Sequence, residues 1–236
     1  VIMVEKGYRE AATANIRPYK MDATLESLRH RGLIFTEIMW VKTYNGFSHK
    51  HTKTSPDDPD GICYGVVTKT KSAGQKFKKA SLAQKVDHDS IGMLLGYPKC
   101  CRNFFKDAWQ AGYVDPIWQQ ALNSGGKIKK ESHGGSSIEI NGYPECVAMH
   151  RYWGIRISFH LPCSFVCEKT RNIAKLWLSE AGKIDANVPQ YLMDILSLQS
   201  IWDAHEGIAF VNTPYFKGVT TSVPCKEFHT VYYKSV

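Results

Sequence analysis

Four of the chain's seven cysteines fall in two short segments, GYPKCC at 96–101 and HLPCSFVC at 160–167, and each segment sets its thiols just after a proline. Proline suits the first turn of a helix, where its missing N–H leaves no bond unmade. The pattern therefore predicts that Pro98 and Pro162 open helices, with Cys100, Cys101, Cys163 and Cys167 in or near the first turn. Cys163 and Cys167, four residues apart, would then share a face. A helix N-terminus carries partial positive charge and stabilises a thiolate. A fold that brings two such helix starts together makes a pocket for a thiolate-bound metal. Cys146, two residues after Pro144, adds a third proline-led thiol.

The candidate metal ligands are thus Cys100, Cys101, Cys146, Cys163 and Cys167, with His160 close by. Zinc sites usually show cysteines two to four residues apart on tight turns. Here one pair is adjacent, and apolar aromatics (Phe104, Phe105, Phe165, Trp153) flank the thiols. That combination points first to an iron–sulfur cluster of the 4Fe–4S kind, with zinc as the alternative. Successive helical residues diverge by roughly 100°, so one of Cys100 and Cys101 is expected to bind while the other packs or serves as a second reactive thiol. The competing reading is a group of inert core cysteines. An odd count with two adjacent thiols makes a poor disulfide framework, and a chain of 236 residues needs no covalent staples. Cys63 and Cys225, in strand-like surroundings, are expected only to pack.

The apolar fraction of 43% suits a globular chain. No run of 18 apolar residues occurs, so no membrane span is expected. The opening VIMVEKGYREAA lacks a signal-peptide pattern, and the expected location is cytoplasmic. The net charge is +8, with the excess gathered in KTKSAGQKFKKASLAQK (69–85) and GGKIKKESHGG (126–135). Such clusters fit a nucleic acid or nucleotide partner through phosphate contacts; the plainer reading is a solvated basic face.

Along the chain, MDATLESLRHRG reads as a short helix, GLIFTEIMWVKTY as a strand, and ICYGVVT (62–68) as a second strand. A polar loop separates the two strands. Residues 73–122 read as several short helices broken at Gly96-Tyr97-Pro98 and near Gly112 and Pro116. Residues 123–137 read as a flexible loop, 143–154 as a short helix, 155–160 as a strand, and about 163–181 and 189–204 as helices. The tail alternates like two or three antiparallel strands. The expected fold is α+β, a mixed single domain over 1–236 with several short helices and a small, mainly antiparallel sheet. Residues 87–217 carry the motifs, and 1–60 read as a divergent extension. GYPKC and GYPEC echo each other, but their flanks differ, so no repeat is assigned.

Other residues suit proton transfer or anion binding. His88 and Asp89 precede the first cysteine pair, and either Asp87 or Asp89 is a natural helix cap. His160 is a proton carrier, a ligand or a donor to a thiolate sulfur. Arg151 and Arg156, set among aromatics, can grip a phosphate or carboxylate. Glu168 suits the first turn of a helix. No phosphate-binding loop, dinucleotide fingerprint, nucleophile elbow or HExxH occurs. The CxxxCxxC pattern of radical adenosylmethionine enzymes fails because position 170 is Thr.

Taken together, LLGYPKCC, GIR…HLPCSFVC and GIAFVNTPYFK resemble an uncharacterised prokaryotic and phage family. Its pattern is GYP-x-CC, a single Cys, H-x-PCS-x3-C and a late G-I/V-A. The resemblance covers about residues 87–217 and marks Cys100, Cys101, Cys146, His160, Cys163 and Cys167. Members read W-x-x-x-H-G-I-A near the end, whereas this chain has WDAHEGIA. Glu206 separates His205 from Gly207, so the resemblance implies no role for His205. The leading expectation is an iron–sulfur enzyme acting on a nucleobase, nucleotide or nucleic acid, with His160, His88 and Asp89 in catalysis and Arg151 and Arg156 on substrate. The alternatives are a zinc-stabilised nucleic-acid-binding protein and a metal-free thiol redox protein.

Overall fold

The computed structural model describes residues 1–43, 51–111, 116–132, 134–147, 149–150, 154–203, 208–212, 218–222 and 229–234. The fold is α+β, as the mixture of patterns implies. The chain groups into two compact units, Val1–Arg102 and Asn103–Val236, the division falling inside a helix (α5 below).

The first unit runs α1 (Ile2–Glu5), β1 (Ala11–Ile16), α2 (Met21–His30), β2 (Ile34–Thr43), β3 (His51–Lys53), β4 (Ile62–Thr68), α3 (Lys71–Leu82), α4 (His88–Leu94) and the start of α5 (Lys99–Phe104). Its four strands form an antiparallel sheet in the order β1-β4-β2-β3. Successive strand residues face opposite sides, and both sides are covered. Ala11 and Val66 join Phe77 and Ala73 of α3 and Leu94 of α4; their neighbours Ala12 and Val67 join Val4 of α1 and Leu28 of α2. Burying Phe77 completely contributes about 2–3 kcal/mol. The register shift between Glu37 and Met39 inserts Ile38 as a bulge, and its side chain enters the α3-side core.

The second unit continues α5 into a π-helical stretch, Phe105–Gln110, then α6 (Pro116–Asn123), β5 (Ile128–Lys130), β6 (Ser136–Ile140), a 3₁₀ turn (Pro144–Cys146), α7 (Glu168–Gly182), α8 (Val188–Leu196), β7 (Ser200–Asp203), β8 (Ile208–Asn212), β9 (Gly218–Ser222) and β10 (His229–Lys234). The sheet order is β5-β6-β7-β8-β10-β9, antiparallel except for the β8–β10 pair. Trp202 of β7, Ile138 of β6, Phe165, Ala174 of α7 and Leu196 of α8 share its core.

Several expectations change here. Residues 123–137 are largely a hairpin, because Ile138 is fully buried and draws β6 into the sheet with β5 along its edge. Residues 155–160 form no strand. The helix expected from 163 begins at Glu168, and the one expected to reach 204 ends at Leu196, where β7 takes over four residues later. Among the described residues of 143–154, where a helix is expected, Pro144–Cys146 form a 3₁₀ turn and Met149 and His150 are 3₁₀ as well. Among the described residues, no helix is long and apolar enough to cross a membrane.

Candidate metal centre

Helix α4 ends in a Schellman turn: Tyr97 N–H bonds the Gly92 carbonyl at 2.8 Å and Gly96 N–H the Met93 carbonyl at 2.9 Å. Gly96 takes φ +76°, which a side chain would oppose. The chain then restarts immediately, with Pro98 accepting the first helical bond of α5 from Arg102 N–H at 3.0 Å. Cys100 and Cys101 thus stand in the first turn, as the sequence implies. Arg102 fixes this turn: its Nε donates to Asp89 Oδ1 at 2.8 Å and its Nη1 to the Tyr97 carbonyl at 3.0 Å. Asp87 caps α4 by accepting from Ser90 N–H at 3.0 Å. His88 opens the same helix, and burial holds its imidazole below the ordinary value.

The second thiol pair is built without a helix. Gln120 and Asn123 of α6 donate to the carbonyls of Pro162 and Cys163 at 2.6 and 2.9 Å. Phe165 N–H donates to Ser124 Oγ at 2.7 Å, and its carbonyl accepts from Tyr143 N–H at 2.8 Å. These bonds take the backbone groups that a helix from Pro162 would have used among themselves. Cys167 therefore ends a tight turn that begins at Ser164, closed by Cys167 N–H on the Ser164 carbonyl at 3.4 Å, with Cys163 just before it, and Cys167 is the N-cap residue of α7.

The Sγ atoms of Cys100, Cys101, Cys163 and Cys167 all lie within 4.8 Å of one another, close enough to hold a metal ion. Cys101 and Cys167 are buried, Cys100 and Cys163 half-buried. Both sulfurs of the adjacent pair lie within this group. Their Cβ bonds diverge, but one bond further out the sulfurs swing back to 3.9 Å apart. No disulfide joins any of the six described cysteines.

Cys146 stands beside this group and outside it. It is fully buried, donates to the Cys167 carbonyl at 3.6 Å, and burial, helped by the nearby Cys167, pushes its thiol up to about 12. Cys63, buried in β4, is likewise pushed up to about 12 by burial and by Glu37. Cys225 lies outside the described residues.

His160 faces the oxygen of a buried threonine: its Nε2 lies 2.9 Å from Thr170 Oγ1 and its Nδ1 3.2 Å from Ser158 Oγ. Burial lowers it to about 4, against the pull of Cys167, so near neutral pH it is an uncharged hydrogen-bonding group. Arg156 lies over the Phe159 ring at 4.9 Å, and that ring packs on Trp177 at 4.5 Å. Arg151, Trp153 and His205 lie outside the described residues. Glu168 opens α7 and accepts from the Tyr143 hydroxyl. Arg171 lies 3.6 Å from the buried Glu145 and 4.0 Å over the Tyr143 ring. These contacts tie the GYPEC segment to α7.

Sequence reasoning missed Gln120, Asn123 and Ser124, which shape the second thiol pair through its backbone. Polar residues on a short helix carry no signal that they bond carbonyls forty residues away. No protein-family model matches this chain, and comparison with curated proteins and with solved structures gives no match either.

Proposed function

We propose that this chain is a metal–thiolate protein in which Cys100, Cys101, Cys163 and Cys167 hold one tetrahedral ion, zinc ahead of iron, and that its partner is nucleic acid. The metal half rests on the spread of the four sulfurs, all within 4.8 Å. Thiolates that share a zinc at about 2.3 Å lie about 3.8 Å apart, close to the 3.9 Å between Cys100 and Cys101. A 4Fe–4S cluster puts each thiolate on a different iron and needs its ligands further apart, so a single ion suits this group better.

Electrostatics supports the same reading. Two thiolates about 4 Å apart repel by about 4 kcal/mol at an effective dielectric constant near 20, and four such anions need a cation among them. Four protein sulfurs complete a tetrahedral ion and leave no open position for substrate, which is the pattern of structural zinc. The ion's work is then to hold the start of α5 against the turn before α7, with His160 and Cys146 as neutral hydrogen-bonding groups beside the thiolates. The nucleic-acid half rests on the net charge of +8 and on the lysine-rich segment at 69–85.

Metal and sulfide content, with an absorption spectrum, on protein purified without oxygen tests this reading. One zinc per chain, with a chelator lowering the thermal midpoint, is the expected result. Iron with sulfide and a broad visible absorption would return the iron–sulfur enzyme, with His160 and His88 as proton carriers. Absence of any metal would overturn both and leave the thiols as redox groups.

A further inference from the structure

Helix α3 buries Ala73, Gly74, Phe77 and Ala80 against its own sheet, so its apolar face is already used. What it turns outward is cationic. Lys69, Lys71, Lys76, Lys79 and Lys85 are exposed and Lys78 half-buried, and no Asp or Glu occurs between residues 69 and 85. Among the described residues none of these six lysines forms an ion pair. The helix also begins with lysines on either side of its N-cap, Thr70, and carries no acidic residue in its first turn. That arrangement places positive charge at the positive end of the helix dipole, against stability. Glu5 lies within electrostatic reach of Lys69, but the first turn of α3 itself holds no carboxylate to offset this cost.

The other lysine-rich segment reads differently. Lys129 and Lys130 lie on β5, the exposed edge strand of its sheet, and Lys129 pairs with Glu131 at 3.8 Å. Charged side chains on an edge strand oppose unwanted strand pairing, which accounts for them without a partner.

We propose that the outward face of α3, carried by Lys71, Lys76 and Lys79 with Lys69 and Lys85 at its ends, binds the phosphodiester backbone of duplex nucleic acid without regard to sequence. The proposal rests on the nucleic-acid partner named above and not on the metal. Lysine is a compact point charge, suited to phosphate contact, whereas base reading favours the planar fork of arginine. The segment contains no arginine, and its one aromatic residue, Phe77, is buried. It therefore offers no ring on which unpaired bases could stack, as single-strand binders do. A membrane surface is disfavoured because interfacial helices insert an apolar face, and that of α3 is spent on the sheet.

The test is fluorescence anisotropy of the full chain with labelled duplexes of about 20 base pairs and two unrelated sequences, across a salt series. The triple variant Lys71→Gln, Lys76→Gln, Lys79→Gln is compared with a second one, Lys127→Gln, Lys129→Gln, Lys130→Gln, which removes equal charge from the region of the β5 edge. Circular dichroism checks that both fold. The α3 variant is expected to bind both duplexes about 10- to 100-fold more weakly, and its slope of log K against log salt should fall by about 2 to 3. The β5 variant should stay within about twofold of the parent, and single strands of the same length should bind more weakly than duplex. Equal losses in the two variants, or none in the α3 variant, would overturn the surface and leave the partner standing. A parent chain that binds no duplex at low salt, or that binds anionic vesicles instead, would overturn both; the metal reading is untouched in either case.

Discussion

Residues 96–100 and 142–146 spell nearly the same word, GYPKC and GYPEC, and the molecule uses them for different ends. In the first, glycine is needed for its backbone: Gly96 takes φ +76° to end α4, and the chain restarts as α5 with Cys100 among the four close thiols. In the second, glycine is needed for its emptiness, because a Cβ on Gly142 would overlap the carbonyl of Phe165. Pro144 then opens only a 3₁₀ turn, and Cys146 ends buried as a donor to the Cys167 carbonyl. A short motif fixes the chemistry on offer; the backbone that packs against it decides how that chemistry is used.

The largest effects should separate the two cysteines. Cys167→Ser is expected to lose bound metal and several kcal/mol of stability with it, since metal affinity is folding free energy. Cys146→Ala should keep one metal per chain and lose about 1–2 kcal/mol for the vacated space; metal analysis and urea unfolding read both. Metal loss in Cys146→Ala would place that thiol among the ligands after all.

The two glycines should differ next. Gly142→Ala forces the Phe165 backbone to move and is expected to cost about 3 kcal/mol or more. Gly96→Ala meets the left-handed penalty of about 1–2 kcal/mol. A reversed order in denaturant midpoints would mean that the turn after α4 carries more of the fold than the close approach at Gly142.

A third difference concerns pH. The second segment leads to His150, fully buried and lowered by that burial to about 4. Its unfolded counterpart takes a proton near 6.5, so between these values the unfolded state holds more protons and stability rises with pH. The contribution is complete above about 6.5 and falls as pH drops toward 4, about 2 kcal/mol between pH 7 and pH 5. His150→Gln should flatten that part of the curve of unfolding free energy against pH, and an unchanged slope would refute the assignment.

The smallest effect belongs to the first segment's brace. Asp89 is well exposed, so Asp89→Asn should cost less than about 1 kcal/mol in urea unfolding despite the 2.8 Å pair with Arg102. A larger loss, or weakened metal binding, would show that the brace sets the orientation of the α5 thiols.

Legibility in the sequence followed the range of the forces involved. Residues 62–68 and 21–30 were readable because β-branched enrichment and helical periodicity are local, and the break at Gly96-Tyr97-Pro98 was readable because glycine and proline act on their own backbone. The cysteine segments announced a shared site by composition alone. The start of α7 was misread because Pro162 and Cys163 are held by Gln120 and Asn123, forty or more positions earlier. That the Cys146 sulfur falls outside the group of four close sulfurs could not be read either, since it follows from how its segment packs against the Cys167 carbonyl. The strand expected at 155–160 did not form, and alternation alone does not reveal whether a partner strand lies alongside.

Strand β10 lies between β8 and β9, parallel to the first and antiparallel to the second, although both precede it in the chain. During synthesis β8 and β9 emerge with a gap between them that only residues 229–234 can fill. Until then each offers an unpaired edge, the kind of surface through which growing chains pair with the wrong neighbour. The second sheet is therefore completed by a strand inserted next to its edge, after both of that strand's neighbours have been made.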